Sequence, residues 1–344
     1  MTVGAGTMRG VTKLEAGPGQ VGLSERVRRQ PGPDEVVLEV CGTGICGTDL
    51  HIWQGEYKCA PPVIMGHEIC GEVVEVGSGV VSGWVGRRVV VETYYSTCGR
   101  CRYCRNGRPN LCAERLSIGS HVNGAMTRFV VLPAINLHGA PDDLSDAAAA
   151  LAEPLACICH SMMDPAVVQA GDVVVVVGPG AMGLLAAQVA RACGGAVSVR
   201  GTKSDEVRLS LARDLGFSTE TVSRDEAGAT RVEGADVVVE CSGTEPGVRY
   251  GLEVVRRGGS FVLVGLRGTE VNVNFDLVCF HEIAIRSGFA STPRSWSTAM
   301  RLIGEKKVEL LPLISEVLPL GEWEYAFDSS RAGRGVKYVL DPRR

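Results

Sequence analysis

The sequence predicts an α/β protein that combines a compact β-rich domain with a doubly wound parallel sheet. Its 344 residues suggest two domains, because a domain usually takes about 150 residues. Apolar residues make up 45% of the chain and charged residues 22%, which allows a core in each domain and excludes a disordered or collagen-like chain. The sequence pattern also changes after Met163, from short β-rich runs to alternating β and α segments.

Short β-rich runs punctuated by glycine occupy the stretch Val36–Val131. Three of these runs are Glu35–Val40, Gly71–Val76 and Arg87–Val91. Their alternation of apolar and polar residues, together with the regular turn signals, predicts an antiparallel β-domain. A helical segment, Asp143–Met163, follows and leads into the second pattern.

The second pattern starts with the continuous β-branched run Val173–Val177, which is typical of a strand buried on both faces of a parallel sheet. Helical and extended segments then alternate at Gly183–Cys193, Val197–Gly201, Asp205–Leu215, Asp236–Glu240, Gly247–Val255 and Ser260–Val264. This alternation predicts a doubly wound sheet. A helix near Trp296–Ile303 and a strand at Val336–Leu340 complete the chain. We expect the β-rich domain at 1–156 and 293–344, and the inserted sheet domain at 157–292.

The charge balance excludes some classes of partner. A formal net charge of −4, from 35 basic and 39 acidic residues, gives no general attraction to nucleic acid or to an anionic membrane. The apolar stretch Ala147–Met163 is shorter than the about 18 residues of a membrane span and contains Glu153 and Pro154. The Gly/Thr-rich N-terminus lacks the apolar segment of a secretory signal. We therefore expect a cytoplasmic protein that binds neither nucleic acid nor a membrane.

Four of the thirteen cysteines form a closely spaced ladder. It reads Cys98-x2-Cys101-x2-Cys104-x7-Cys112, in a segment rich in Gly, Arg and Asn. Four thiolates suit a closed tetrahedral zinc site, which would stabilise a loop that is too polar to form a core of its own. An iron–sulfur cluster and a chance group of free thiols are the alternatives. The chain has no second cluster-like run, so the ladder favours a structural zinc ion.

A glycine-rich turn directly follows the strand Val173–Val177. Its glycines are Gly178, Gly180 and Gly183, and the residues between them include Ala181 and Met182. The first glycine permits a tight turn, the second lets the backbone approach a pyrophosphate, and the third lets the following helix pack closely. An ordinary strand-to-helix turn is the alternative. The β and α segments on either side favour a dinucleotide site.

The identity of the dinucleotide depends on the end of the next strand. An acid about 20 residues after the turn would bind the ribose 2′-hydroxyl group of NAD, but Val199–Ser204 contains no acid. A 2′-phosphate could instead be held through charge-assisted hydrogen bonds by Arg200, Thr202, Lys203, Ser204 and Arg208. In a shifted register Asp205 is the ribose acid, and it can also cap the following helix. NAD and NADP both stay open, and the sequence favours NADP.

A third group of polar residues lies in the β-rich half. Cys46, Thr48 and His51 lie between two β-rich runs, and His67 and Glu68 follow about 20 residues later. A catalytic zinc ion needs a few N, S or O ligands and one open position, which Cys46, His67 and a carboxylate can provide. Taken alone, Cys46 reads as a small buried apolar residue and His67 as a core histidine.

Together these motifs resemble the zinc-dependent medium-chain dehydrogenase/reductase superfamily. The run Gly66-His-Glu-x2-Gly71-x5-Gly77 resembles its zinc signature, and the ladder and the glycine turn resemble its structural-zinc lobe and coenzyme site. Gly44–His51 and Ala152–Leu155 are similar to the polyol (sorbitol/L-iditol) and threonine dehydrogenase branch. The resemblance extends over Met8–Leu340 and implies a GroES-like catalytic domain and a Rossmann-like coenzyme domain.

The resemblance also implies roles for single residues. Cys46 and His67 match zinc ligands, and Glu68 matches the third protein ligand of the polyol branch. Glu153 falls where that branch has a carboxylate that contacts zinc directly or through water, so either glutamate can be the ligand. Asp49 matches an acid that supports the His67 ring, as metal-bound histidines generally need.

Two further residues match the proton path of the family. Thr48 matches the hydroxyl group that bonds the substrate oxygen, and His51 matches the outer member of the relay. The chain departs from the family at Gly86–Val89, where an acid is usual, and at Ser291–Trp296 relative to animal sorbitol dehydrogenases.

The implied function is oxidation of an alcohol with two zinc ions per chain and NAD or NADP. Zinc lowers the pKa of bound water from 15.7 to about 7, and an alcohol should respond similarly. We expect a secondary alcohol of a polyol or cyclitol and its ketone as the small-molecule substrates, bound in a cleft between the domains of a homotetramer or homodimer. The alternatives are an amino alcohol (L-threonine or an aminocyclitol) and a non-catalytic coenzyme-binding sensor. The joint presence of Cys46, Thr48, His51, His67 and Glu68 argues against a sensor.

Overall fold

The computed structural model describes residues 6–222, 234–266 and 268–344. The chain forms two compact units. The β-rich unit comprises Met1–Glu153 and Leu313–Arg344, and the coenzyme unit comprises Pro154–Pro312. The predicted α/β fold class is confirmed, because one unit is a mostly antiparallel β-structure and the other is a parallel sheet with helices.

The first part of the β-rich unit contains most of its strands. They are β1 (Thr7–Lys13), β2 (Val21–Val27), β3 (Glu35–Gly44), β4 (Val63–Ile64), β5 (Glu68–Val76), β6 (Arg88–Val91), β7 (Tyr94–Ser96), β8 (Leu116–Ser117), β9 (Phe129–Pro133) and β10 (Leu137–Gly139). The helices of this part are α1 (Gly47–Gln54), α2 (Arg102–Arg105), α3 (Asp146–Ala149) and the start of α4 (Ala152–Met163).

The coenzyme unit alternates strands and helices. Its strands are β11 (Val173–Val177), β12 (Ala196–Gly201), β13 (Ser218–Thr221), β14 (Ala235–Glu240), β15 (Val255–Leu263) and β16 (Ala284–Ser287). Its helices after α4 are α5 (Ala181–Ala192), α6 (Glu206–Asp214), α7 (Glu245–Val254), α8 (Asp276–Phe280) and α9 (Pro293–Gly304). The chain then returns to the β-rich unit with β17 (Ile314–Pro319), α10 (Trp323–Arg331) and β18 (Lys337–Asp341).

The main sheet of the β-rich unit has the strand order β10-β6-β5-β3-β18-β17, and β9 also pairs with β3. Its pairs are antiparallel except for β17 with β18. One core lies against β3, β5 and β9, and another packs Trp323 and Phe327 of α10 against Ile52 of α1. The returning segment therefore helps to hold α1.

The coenzyme unit contains the predicted doubly wound sheet, in the order β13-β12-β11-β14-β15-β16 with all pairs parallel. The inner residues Val174–Val176 of β11 are fully buried, as expected for a central strand with helices on both faces. Because the order departs from β11 in both directions, β11 and β14 flank the switch point, where ligands of such sheets bind.

Two predictions differ from the structure. The helix predicted at Asp143–Met163 is two helices, α3 and α4, because Pro154 lacks a backbone N–H and is tolerated only in a first turn. The second domain boundary, expected at 292/293, follows Pro312 instead. The segment after Thr292 is bound to the coenzyme unit, where the Gln188 side chain exchanges two hydrogen bonds of 3.1 and 2.6 Å with the backbone of Glu309. Within the described residues, no helix combines the length and apolarity needed to cross a membrane.

Candidate active site

Helix α1 positions the first group of predicted site residues. Cys46 is its N-cap, and the Cys46 backbone N–H donates to Asp49 Oδ2 at 2.9 Å. A carboxylate in the first turn is also stabilised by the helix dipole. Thr48 and His51 lie three residues apart on α1, and therefore on one face of it. One short helix thus orients four of the predicted residues.

His51 lies at the solvent side of this group. Its Nδ1 atom is 2.7 Å from Glu56 Oε2, and 25% of its side chain is exposed. Thr48 is half-buried. A proton that reaches His51 can therefore pass to Glu56 or to water.

Asp49 also faces His67, the residue before β5. Asp49 Oδ1 is 3.8 Å from His67 Nδ1, and this buried oxygen has no hydrogen-bond partner among the described residues. Burial lowers the pKa of His67. The Asp49 carboxylate opposes this, and together with Cys46 and Glu153 it raises the pKa well above its usual value. The surroundings of His67 therefore favour a positive charge.

Glu153 belongs to the same group. It lies in the first turn of α4, is buried, and accepts a 2.8 Å hydrogen bond from Thr93 Oγ1. Its charge contributes to the raised pKa values of both His67 and Lys337. The Glu153 carboxylate therefore lies within electrostatic reach of both cations.

Glu68, one of the two predicted carboxylate ligands, is paired with a lysine in the structure. Its Oε1 atom is 2.5 Å from Lys337 Nζ, and Lys337 also donates to the backbone carbonyl of Ile45 at 2.8 Å. The Oε2 atom of Glu68 is buried without a hydrogen-bond partner in the described part of the chain. A buried carboxylate needs a counter-charge, and Lys337 on β18 provides it. Sequence reasoning missed Lys337.

The predicted ligands of the two zinc sites differ in how closely they approach one another. Within the described ranges, only the ladder brings at least three possible ligand atoms all within 4.8 Å of one another. The other site is looser, because Glu68 is bound to Lys337 and Glu153 to Thr93.

The ladder has the geometry of a tetrathiolate metal site. The sulfur atoms of Cys98, Cys101, Cys104 and Cys112 lie within 4.8 Å of one another, and the sulfurs of Cys101 and Cys104 are 3.6 Å apart. A zinc tetrahedron with Zn–S bonds of about 2.3 Å has S–S edges of about 3.8 Å. The four thiols therefore fit zinc with little movement.

Backbone amides also prepare the ladder for anionic sulfur. The Cys101 N–H donates to Cys98 Sγ at 3.3 Å, and the Cys98 N–H donates to Cys112 Sγ at 3.4 Å. The amides of Cys101 and Arg100 lower the pKa of Cys98 to about 7. A thiolate is the metal-binding form of cysteine, so this segment supports metal binding.

The glycine turn has the shape that the sequence predicted. Gly178 has φ +96°, a conformation that favours glycine, and its N–H donates to the Arg200 carbonyl at 2.8 Å. A Cβ atom on Gly183 would lie 1.9 Å from the Gly178 carbonyl oxygen, whereas one on Gly180 would meet no protein atom within 4 Å. Helix α5 begins at Ala181, so the open space lies at its N-terminus. The turn presents backbone N–H groups to a ligand there.

Arg200 does not lie where the sequence analysis placed it. The side chain is buried, forms an ion pair with Glu220 on the neighbouring strand β13, and donates to Tyr250 Oη at 2.6 Å. A buried guanidinium requires such partners, and the parallel register pairs Arg200 directly with Glu220. The Arg200 guanidinium therefore binds Glu220 and Tyr250 within the coenzyme unit, and it does not extend toward a 2′-phosphate site.

The remaining predicted 2′-phosphate residues follow β12. Thr202 and Asp205 form a capping box, in which Asp205 Oδ2 accepts from the Thr202 N–H at 2.9 Å. Asp205 is thus a cap, and Arg208 lies 3.7 Å from its Oδ1 atom. Lys203 and Ser204 are exposed. The structure therefore leaves two exposed polar side chains and a nearby arginine at the end of β12.

Comparisons with known proteins show the family of the chain. Residues 32–142 match the alcohol dehydrogenase GroES-like domain, and residues 181–305 match the zinc-binding dehydrogenase domain. A sorbitol dehydrogenase of Halalkalibacterium halodurans is 38% identical over 97% of this chain and 99% of its own length. The chain belongs to the zinc-binding dehydrogenase family. The predicted superfamily and branch are therefore confirmed.

Other members of the family are similar over the whole chain. A D-arabitol-phosphate dehydrogenase of Enterococcus avium is 35% identical over 97% of both chains. The crystal structure of a zinc-binding dehydrogenase from Sinorhizobium meliloti, bound to NADP, superposes with a TM-score of 0.88 at 31% identity, covering 98% of this chain and 100% of that one. The present chain is accordingly an NAD(P)-dependent oxidoreductase that acts on alcohols.

The residues of the looser site fit the catalytic zinc ion of the family. Cys46, His67 and Glu153 supply one sulfur, one nitrogen and one oxygen donor, a set suited to a zinc site with an open position. The buried, unpartnered Oδ1 of Asp49 faces the His67 ring and can accept from Nδ1 while Nε2 binds metal. The carboxylates of Asp49 and Glu153 both act on His67 and favour positive charge there.

Proposed function

We propose that this zinc-binding dehydrogenase interconverts a secondary alcohol of a polyol or cyclitol and its ketone. The observation that carries the proposal is the group formed by half-buried Cys46 with buried His67 and Glu153. Thr48 and His51 lie beside Cys46 on α1. The two similar dehydrogenases named above act on sorbitol and on D-arabitol phosphate according to their names, which supports a polyhydroxy substrate.

Three side chains would hold the catalytic zinc ion. Cys46 and His67 are fixed by Asp49, through the cap of α1 and through the histidine ring, and Glu153 is oriented by Thr93. When bound, zinc lowers the pKa of a coordinated hydroxyl group by several units. Glu68 balances the charge of Lys337 instead of completing the ligand set.

Thr48 and His51 would move the hydroxyl proton. The Thr48 hydroxyl group would take up this proton while it passes its own proton on to His51, whose imidazole ring can accept it. The 2.7 Å contact between His51 Nδ1 and Glu56 fixes the ring at the solvent side. The proton would therefore reach solvent through His51 at the edge of the site.

The coenzyme would bind at the glycine turn with its pyrophosphate on Gly180, Ala181, Met182 and the N-terminus of α5. When bound, the coenzyme would supply the nicotinamide ring that takes up hydride from the carbinol carbon, and the glycine turn of this chain would hold and orient it. We propose NADP, because Lys203, Ser204 and Arg208 offer cationic and hydroxyl groups at the end of β12 while Asp205 is used as a cap. The NADP-bound relative supports this choice.

We also propose that the chain forms a homodimer or homotetramer. Among the described residues, strand β16 forms one of the two edges of the coenzyme-unit sheet, and an exposed edge is a template for pairing with another chain. Ile285 on this strand is 41% exposed, and the nearby apolar residues Phe280 and Phe289 are 76% and 45% exposed. A second copy would continue the sheet and cover these residues, which sedimentation analysis can test.

A cytoplasmic location completes the proposal. All thirteen cysteines are free, and four of them form the ladder that needs reduced thiolates. A reducing compartment keeps such ligands available.

The experiment is an activity panel. Purified protein is mixed with NAD or NADP and with polyols, cyclitols and amino alcohols, and formation of the reduced nicotinamide is followed. We expect a signal with a polyol or cyclitol and NADP that a zinc chelator abolishes. A signal confined to amino alcohols would overturn the substrate class. Coenzyme binding and full zinc content without turnover on any alcohol would overturn the proposed reaction.

A further inference from the structure

Glu240 is a buried carboxylate that none of the roles above uses. It ends β14 and is fully buried. No cationic side chain of the described residues pairs with it. Its Oε1 atom accepts hydrogen bonds from the Ser242 N–H at 2.8 Å and from Ser242 Oγ, and its Oε2 atom accepts from the Gly243 N–H at 3.2 Å. Burial raises the pKa of Glu240, and the hydrogen bonds from Ser242 and Gly243 act in the opposite direction by stabilising the carboxylate.

The loop that Glu240 holds contacts the coenzyme turn. The Cys241 N–H donates to the Val177 carbonyl at 2.8 Å, so the loop follows the end of β11. A Cβ atom on Gly178 would lie 2.7 Å from Ser242 N and 2.8 Å from Ser242 Cα. Gly178, the first glycine of the turn, is therefore packed against Ser242 so closely that no side chain would fit at position 178.

The other side of the same loop contacts the segment after β15. Gly243 has φ +61°, and a Cβ atom there would lie 2.7 Å from the Leu266 carbonyl oxygen. A Cβ atom on Gly265 would lie 2.2 Å from Gly243 N and 2.8 Å from Glu240 Oε2. The loop thus lies between the carboxyl ends of β11 and β15, and the Glu240 carboxylate accepts hydrogen bonds from its residues Ser242 and Gly243.

This place in the sheet indicates a coenzyme role. Burying an ionised group without a counter-charge costs free energy, and here the compensating donors all belong to the loop. Hydrogen bonds to a charged acceptor are stronger than neutral ones, so the carboxylate fixes the loop more firmly than a neutral side chain would. The loop lies beside β11 and β14 at the switch point, where ligands of doubly wound sheets bind.

We propose that Glu240 is a positioning residue for the coenzyme. Its carboxylate holds Ser242 and Gly243 against Gly178, and so fixes the glycine turn in the conformation that receives the pyrophosphate. The inference deepens the coenzyme part of the proposed function and does not depend on the alcohol or on zinc. Binding of the coenzyme by the wild type shows separately that this part of the function holds.

The test compares Glu240→Gln and Glu240→Ala with Asp236→Asn in the zinc-loaded protein. Asp236 is a matched control, because it lies at the other end of β14 and binds the Val173 N–H at 2.8 Å and Arg256. Binding of reduced NADP is measured by fluorescence, thermal unfolding by circular dichroism, and KM and kcat with the best alcohol of the panel. Glu240→Gln keeps the shape and removes the charge, and it decides the outcome if the alanine variant does not fold.

We expect the two Glu240 variants to bind reduced NADP about tenfold more weakly, since hydrogen bonds to a charged group are lost. KM for the coenzyme should rise while KM for the alcohol, and kcat at saturating coenzyme, stay near the wild-type values. Asp236→Asn should lower the unfolding temperature without changing the coenzyme Kd. Wild-type coenzyme affinity in a folded Glu240→Gln variant, or a loss of thermal stability with unchanged Kd, would overturn the proposal.

Discussion

The ammonium group of Lys337 lies 2.5 Å from the carboxylate of Glu68, and both side chains are buried, with 6% and 0% exposed. Burial lowers the pKa of Lys337, but Glu68 and Cys46 raise it above its usual value. The lysine therefore stays charged inside the β-rich unit. This pair joins β18, near the end of the chain, to the first residue of β5.

The pair predicts a strong and asymmetric effect on stability. Lys337→Met should lower the free energy of unfolding by about 3–5 kcal/mol, because it leaves Glu68 charged and unpaired in the interior. The double variant Lys337→Met with Glu68→Met should recover much of this loss. Urea unfolding of the four proteins measures both effects in a double-mutant cycle. A cost below about 1 kcal/mol for the single variant would show that the pair is solvated or unimportant.

Loss of a ladder thiol should destabilise the β-rich unit without disturbing the coenzyme unit. In Cys104→Ser the lobe loses one of the four sulfur atoms that lie within 4.8 Å of one another, and structural zinc contributes directly to folding. We expect one zinc ion fewer per chain and a lower melting temperature, with an unchanged coenzyme Kd. Cys279→Ser, which removes an exposed thiol elsewhere, is the control and should retain full zinc. Equal zinc content in the two variants would contradict the assignment.

The coenzyme preference should depend on Lys203 and not on Arg200. Lys203→Asp removes a cation and adds an acid at the end of β12, so KM for NADP should rise at least about tenfold while KM for NAD falls. Arg200→Met should lower the melting temperature, because Glu220 loses its buried partner, but leave the ratio of the two KM values unchanged. A change of that ratio in the Arg200 variant, with none in the Lys203 variant, would reverse the assignment.

Two glycines of the turn should respond differently to alanine. A Cβ atom on Gly183 would lie 1.9 Å from the Gly178 carbonyl oxygen, so Gly183→Ala should destabilise the coenzyme unit. A Cβ atom on Gly180 meets no protein atom within 4 Å, so Gly180→Ala should leave thermal stability unchanged and weaken coenzyme binding, because the methyl group occupies the space that the pyrophosphate needs. Unchanged coenzyme affinity in Gly180→Ala would place the dinucleotide elsewhere.

The pH dependence of stability should contain a contribution from Glu35. Its hydrogen bonds with Arg29, including Arg29 Nη2 to Oε1 at 2.6 Å, lower the pKa of Glu35 from 4.5 to about 2. A depressed carboxyl pKa adds stability above the unfolded-state pKa, and this stability is lost as the pH falls from 4.5 toward 2. The wild type should therefore exceed Glu35→Gln in free energy of unfolding at neutral pH, and the difference should shrink below pH 4.5. A constant difference across that window would contradict the shifted pKa.

Local spacing explains what the sequence could predict. The ladder and the glycine turn each place their residues within one short segment, so spacing alone predicts that they lie close together, and the structure has the four thiols and the three glycines in the expected geometry. The β-branched run Val173–Val177, which is buried from Val174 onward, likewise identifies the central strand of the sheet. Such features depend on neighbours in the chain and not on tertiary contacts.

Distant pairs explain what the sequence could not predict. Lys337 is 269 positions from Glu68, and nothing in the local sequence of β18 indicates a partner. Arg200 has the composition expected of a phosphate ligand, but strand register pairs it with Glu220 and buries it. The sequence predicts Glu240 only as the end of a strand. Its hydrogen bond from the Gly243 N–H depends on the backbone turn at Gly243, which the sequence pattern does not indicate.

The most direct test of the central claim combines three measurements on one sample of Cys46→Ala. Zinc content, binding of reduced NADP, and turnover of the best alcohol of the panel are compared with those of the wild type. We predict two zinc ions per chain in the wild type and one in the variant, with coenzyme binding retained and turnover lost, because the thiolate supplies a zinc ligand. Wild-type turnover by the variant, or unchanged zinc content, would contradict the claim that Cys46 holds the zinc ion that activates the alcohol.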